Sequence, residues 1–144
     1  MYTGLTAENL SRMMGAWDVL YNASMAEGFG IPLIEACAKG IPPIATNFTS
    51  MTELVKGHGW LVEPLTRKWT NLLSLWAVPD EFQAADAIEQ AYNKPDERKD
   101  YGEKAREFSL NYDWDNVVVP LWIKLLEEVR EDLRPRTAAE RRLF

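Results

Sequence analysis

Over the first 65 residues, short apolar runs alternate with stretches whose apolar positions keep a helical spacing. Leu10, Met13, Met14 and Trp17 fall at i, i+3, i+4 and i+7 after Thr6-Ala7-Glu8, which predicts a short helix with Thr6 as its N-cap. Asp18-Val19-Leu20-Tyr21-Asn22 reads as a buried strand bounded by Asn22-Ala23-Ser24. After the flexible turn Glu27-Gly28-Phe29-Gly30, the run from Ile31 to Lys39 predicts a short buried helix. Pro32 lies in its first turn and Gly40 just past its end. Pro42-Pro43-Ile44-Ala45-Thr46 is a second strand, its prolines confined to the start. Ser50-Met51-Thr52-Glu53 has the form of a capping box ahead of Leu54-Val55, and Gly57-His58-Gly59 turns into a third strand, Trp60-Leu61-Val62.

Strand and helix in alternation predict an α/β fold, a Rossmann-like open parallel sheet of about three strands followed by several C-terminal helices. Phe82, Ala85, Ile88 and Ala91-Tyr92 keep helical spacing, and Pro95 starts another helix through Tyr101, Ala105 and Phe108. Asp113-Trp114 opens the last one, with Val117, Val118, Leu121, Trp122, Leu125, Leu126 and Val129 on its apolar face. Residues 64–79, with Arg67, Lys68, Trp69, Leu72, Leu73, Leu75 and Trp76, carry no periodicity that assigns an element. Residues 134–144 form a polar tail, expected to fray. Of the six tryptophans, Trp60, Trp114 and Trp122 sit in apolar stripes and are expected in the core, whereas Trp69 and Trp76 are candidates for an exposed contact.

At 144 residues the chain has the size of one domain, and 16 Lys+Arg against 22 Asp+Glu give a net charge of −6. An acidic chain argues against non-specific nucleic-acid binding, which needs a basic face. A single cysteine, Cys37, excludes an internal disulfide, and with one histidine it leaves no structural zinc set. The apolar runs are far shorter than the roughly 20 residues that cross a bilayer, and no secretory signal opens the sequence, so a cytoplasmic location is expected. Asp113-Trp114-Asp115 has the D-x-D form of a metal-holding motif, but before an apolar helix Asp113 reads better as an N-cap and Asp115 as a complement to the helix dipole. Cys37 is expected in the core, His58 in a solvated turn, and Glu53 as the capping-box partner of Ser50.

The segment that carries chemistry is Glu27-Gly28-Phe29-Gly30-Ile31-Pro32-Leu33-Ile34-Glu35, two acidic residues with seven others between them. It joins the carboxyl end of a strand to the amino end of a helix, where open α/β sheets bind ligands. Two glycines admit a ligand close to the backbone, and helix-start amides favour anions. Glu27 in the loop and Glu35 one turn into the helix can each chelate neighbouring hydroxyls of a sugar. The competing reading makes Glu35 a cap-region acid that complements the helix dipole.

This segment resembles the E-x7-E motif of retaining nucleotide-sugar glycosyltransferases of the GT-B fold, particularly family 4. The resemblance extends over residues 10–130. It takes in Gly40-Ile41-Pro42, Glu53-Leu54-Val55, Gly59-Trp60-Leu61-Val62, Ala87-Ile88, Ala105-Arg106 and Tyr112-Asp113-Trp114. Ala23, Lys39 and Pro43 replace a usual Pro, small residue and Val, outside the motif. The resemblance implies that residues 1–133 are half of a GT-B C-terminal domain, the part that binds nucleotide sugar. It implies Glu27 against the transferred hexose in a catalytic role, the backbone of Gly28, Phe29, Gly30 and Ile31 against hexose and phosphates, and Glu35 on the ribose. The implied activity moves a hexose from a nucleoside diphosphate sugar to a sugar or lipid-linked acceptor with retention, by front-face displacement with neither metal nor cofactor required. Such enzymes carry a basic pair for the leaving diphosphate and an acceptor-binding N-terminal domain, neither of which this sequence matches; before Glu27 the sole cationic side chain is Arg12. The chain is therefore expected to be weakly active or inactive alone. The alternative is a non-catalytic nucleotide-sugar-binding or assembly module, completed by a separate N-terminal half or by a second copy.

Overall fold

A computed structural model describes residues 4–133, which fall in two compact units that divide after Ser109. The first is an α/β layer structure. Helix α1 (Ala7–Met14) starts at Thr6, whose hydroxyl accepts the Asn9 amide at 3.2 Å. Three strands, β1 (Leu20–Asn22), β2 (Pro43–Thr46) and β3 (Trp60–Val62), pair in parallel in the order β1-β2-β3. Tyr21 stands opposite Ile44, and Ile44 opposite Trp60. Helix α2 (Ile31–Ala38) connects the first two strands and α3 (Ser50–Val55) the second and third. β2 lies at the centre and is buried along its whole length, whereas β1 is an edge strand with Tyr21 exposed, so the expectation of a fully buried first strand fails there.

Ile44, Trp60 and Val62 form one core cluster with Ala84, Ala87 and Ala91 of α4 (Glu81–Asn93), and Met14, Ala36 and Ile41 form another. The buried stripe of α4 is thus its alanines, while Phe82, Ile88 and Tyr92 remain exposed. Small side chains let the helix lie close against the sheet, which outweighs the larger but more widely spaced apolar set. α5 (Pro95–Ser109) crosses α2 equally closely: a Cβ at Gly102 would meet the Gly40 carbonyl oxygen at 2.4 Å. Trp60 packs edge-on against Tyr101, with ring centroids 4.9 Å apart.

The unassigned segment 64–79 is an antiparallel hairpin, β4 (Pro64–Trp69) and β5 (Leu75–Pro79), with Leu65 in a register irregularity between Pro64 and Thr66. Its pattern escaped periodicity because both strands are mostly solvated: only Ala77 is fully buried.

The second unit begins with a 3-10 turn (Leu110–Tyr112) and a wide π-type turn (Trp114–Val118), and continues as α6 (Val119–Leu133). Asp113 caps it by accepting the Asn116 amide at 2.7 Å, the structural role expected for this residue. Trp114, Trp122 and the other large apolar residues of α6 are exposed, contrary to their expected place in a core. The tail 134–144 lies outside the described residues. Among the described residues no helix is long and apolar enough to cross a membrane.

Candidate functional site

The site is the bend between β1 and α2, at the carboxyl edge of the parallel sheet. Asn22 ends the strand, and its side-chain oxygen accepts the Ser24 amide at 3.0 Å, turning the chain off the sheet. Ser24 then donates its hydroxyl to Glu27 Oε1 at 2.6 Å. A second loop, after β2, grips the backbone of the same residue. The Glu27 amide donates to Thr49 Oγ1 at 3.1 Å, and the Ser50 hydroxyl donates to the Glu27 carbonyl at 3.1 Å. Both backbone groups of Glu27 and one carboxylate oxygen are thereby fixed, which leaves Oε2 without a hydrogen bond among the described residues. Thr49 reaches this position with φ of 53°, a conformation a β-branched residue adopts only when its surroundings hold it there.

Ser50 is therefore no cap. The N-cap of α3 is Thr49, its side chain makes no capping bond, and Ser50 spends its hydroxyl on Glu27. The expected capping box is absent, and Glu53 is exposed in the first turn. Ser24, Thr49 and Ser50 are the site residues the sequence reading missed. The sequence pattern makes Ser50 a local cap and gives Thr49 no role, whereas both bond Glu27 across 23 and 22 residues of chain.

Beyond Glu27 the bend opens to solvent. A Cβ at Gly28 would meet nothing within 4 Å, and Phe29 and Ile31 are exposed. Gly30 has the opposite surroundings. It is the N-cap of α2 at φ 97°, and a Cβ there would sit 3.1 Å from Leu33 Cδ1 and 3.4 Å from Leu54 Cδ1. Ile31, at the first helical position, has an amide without an intrahelical partner. Glu35 is the fifth residue of α2 and is exposed, and the first turn carries no acid, so the helix-dipole reading of Glu35 does not hold. Glu27 and Glu35 flank the bend without a hydrogen bond to each other. One further cation adjoins the site: the Arg67 guanidinium of the hairpin lies 5.4 Å over the Phe48 ring, next to Thr49.

The other titratable candidates are structural. Cys37 is buried, and desolvation pushes its thiol up to about 12, far from a reactive thiolate at neutral pH. His58 is buried rather than solvated, the reverse of its expected setting. Its Nε2 lies 2.8 Å from the Leu54 carbonyl and its ring stacks on Phe108 at 4.3 Å. Burial lowers its pKa, and the bond to Leu54 opposes the shift only in part. Among the described residues no group of three or more His, Cys, Asp and Glu is placed to hold a metal ion.

The family model for glycosyl transferases group 1 matches residues 1–108 of the 144. The chain belongs to that family. An O-antigen chain mannosyltransferase B of Escherichia coli is 35% identical over 57 residues, 40% of this chain and 15% of the relative. A serotype-specific mannosyltransferase WbdA of the same organism is 36% identical over 56 residues, 39% of this chain and 7% of the relative. Among solved structures, sucrose-phosphate synthase from Thermosynechococcus elongatus superposes with a TM-score of 0.73 at 23% identity, covering 91% of this chain and 30% of that one. A glycosyltransferase from Rickettsia africae gives 0.66 at 24% identity, covering 91% and 31%. The fold is that of GT-B glycosyltransferases, and the chain spans less than a third of the length of these neighbours.

Proposed function

We propose that the bend between β1 and α2 is the donor site of a retaining glycosyltransferase, transferring a hexose from a nucleoside diphosphate sugar to a sugar or lipid-linked acceptor. The observation that carries this reading is the fixation of Glu27. Its backbone is clamped by Thr49 and Ser50 and its carboxylate is oriented by Ser24, while the bend beyond it stays open. A preorganised carboxylate accepts hydrogen bonds from sugar hydroxyls without first ordering itself. The amides of the bend and helix start suit the hexose and the diphosphate, and Gly28 leaves them approachable. Glu35, exposed and one turn along α2, is suited to the ribose hydroxyls. Reading the donor as a mannosyl nucleotide follows from the two mannosyltransferase relatives. A cytoplasmic location belongs to the same proposal.

A second reading, a nucleotide-sugar-binding module completed by a separate N-terminal half, is favoured by the charge at hand. A departing diphosphate needs cations, yet Arg12 is engaged by Glu8 at 2.8 Å, Lys39 by the Ser11 hydroxyl, and Arg67 lies over the Phe48 ring. Assay of donor hydrolysis and transfer with GDP-mannose separates the two. Turnover abolished by Glu27→Gln supports the enzyme. Binding without turnover, restored to turnover by an added N-terminal GT-B domain, supports the module. Absence of both binding and turnover contradicts the donor site itself.

A further inference from the structure

Apart from Arg67 over Phe48, the β4–β5 hairpin has no role in the reading above, and its charge is opposite in sign to that of the rest of the chain. Residues 64–79 contain Arg67 and Lys68 and no acid, a charge of +2 in a chain of net −6, so the remainder carries −8. Acids return only at the base, with Glu63 bound to Asn47 and Asp80 capping α4. Between the polar Thr70, Asn71 and Ser74, the tip presents two apolar side chains: Leu72 and Leu73 are 86% and 84% exposed, and Trp69 beside them is 71% exposed.

The backbone of the tip is closed on itself. The Thr70 amide donates to the Ser74 carbonyl at 2.9 Å and the Leu73 amide to the Thr70 carbonyl at 3.0 Å. Thr70 Oγ1 accepts the Leu72 amide at 3.2 Å and the Ser74 amide at 3.4 Å. Four of the five amides in residues 70–74 are thus satisfied internally, the condition for placing a turn in an apolar phase without stranding polar groups. Leu73 holds φ of 57°, where Asn or Gly fits better, so the turn keeps a leucine against its local preference. On the strands, Lys68 stands opposite Trp76 and forms no ion pair among the described residues.

We propose that this hairpin docks the protein on an anionic lipid surface, with Leu72 and Leu73 entering the acyl boundary, Trp69 and Trp76 at headgroup depth, and Lys68 on lipid phosphates. Charge selects this occupant, because a basic segment on an acidic protein is drawn to an anionic bilayer while the other surfaces are repelled. Size supports it, because a protein interface needs about 800 Å² per partner, which a two-leucine tip does not supply, whereas shallow insertion beside aromatic and basic residues suits a bilayer interface. The inference stands on the hairpin and does not rest on sugar transfer. The Ala77 amide donates to the Met25 carbonyl at 2.9 Å, tying the hairpin to the bend that carries Glu27.

The test is co-sedimentation of the 144-residue chain with phosphatidylcholine vesicles and with mixed phosphatidylcholine–phosphatidylglycerol vesicles, at low and high salt. Leu73→Asn suits the left-handed backbone and Leu72→Ser is on the surface, so this double variant keeps its fold, checked by an unchanged urea transition. Binding to the mixed vesicles alone is expected, falling about fivefold in Lys68→Ser and at least about tenfold in the double variant. No sedimentation with either vesicle, or equal sedimentation of the double variant, overturns the proposal. So does a concentration-dependent dimer that the double variant abolishes while vesicle binding is absent, since the tip then joins two copies of the chain.

Discussion

Gly28 and Gly30 stand two residues apart in the same bend, and alanine at each should have opposite consequences. At Gly30, alanine must adopt φ 97° with its Cβ 3.1 Å and 3.4 Å from two fully buried leucines, Leu33 and Leu54. A left-handed backbone costs an L-residue about 1–2 kcal/mol, and overpacking a tight site typically costs about 1–3 kcal/mol. Gly30→Ala should therefore lose about 2–5 kcal/mol, a large share of the roughly 5–15 kcal/mol that holds a native domain. At Gly28 the backbone is outside the left-handed region and the added methyl meets nothing. Gly28→Ala should be neutral or gain up to about 1 kcal/mol through the unfolded chain. The folded protein thus gives no reason for glycine at position 28, and close approach of a ligand supplies one. Urea denaturation of both variants measures the stabilities, and titration with GDP-mannose the affinity. The expected pattern is a destabilised Gly30→Ala and a stable Gly28→Ala that binds donor much more weakly. A Gly28→Ala that binds donor as the parent does, or a Gly30→Ala within about 0.5 kcal/mol of it, would refute the reasoning, since unstrained surface changes fall within that range.

Other consequences follow from the same geometry. Ser24→Ala removes the hydroxyl that orients the Glu27 carboxylate; losing this charge-assisted bond should lower stability in urea by about 1.5–3 kcal/mol and also weaken donor affinity in calorimetric titration, because the carboxylate must then be ordered on binding. Gly102→Ala places a methyl 2.4 Å from the Gly40 carbonyl and should lower stability by about 1–3 kcal/mol by spreading α2 from α5, seen in thermal unfolding. His58 has a lowered pKa when folded, so below pH 6.5 the unfolded chain takes up a proton the folded chain refuses. Stability should be retained above pH 6.5 and decline as the pH falls below it, and urea midpoints of His58→Gln across that boundary should depend on pH less steeply.

The parallel sheet was readable from the sequence because its strands are short apolar runs with clear boundaries, Asn22-Ala23-Ser24 after β1 and Gly40 and Gly59 ahead of β2 and β3. The bend was readable because two acids and two glycines occupy a strand-to-helix junction. What supports the bend from the second loop was not, because hydroxyls at Thr49 and Ser50 look identical whether they cap a helix locally or bond a distant backbone. Their partner is fixed only when β2 lies beside β1. The hairpin escaped for another reason: a solvated ribbon with one buried alanine leaves no hydrophobic period. In α4 the larger residues at helical spacing misled, because close packing against the sheet selects Ala84, Ala87 and Ala91.

The central claim, that an open bend between Glu27 and Glu35 receives an activated sugar, is tested most directly by NMR titration of the amide-labelled chain with UDP- and GDP-sugars. The account predicts shifts concentrated at the amides of residues 27–35, saturating with donor and lost in Glu35→Ala. Spectra unchanged at millimolar donor, or shifts that persist undiminished in that variant, would contradict it.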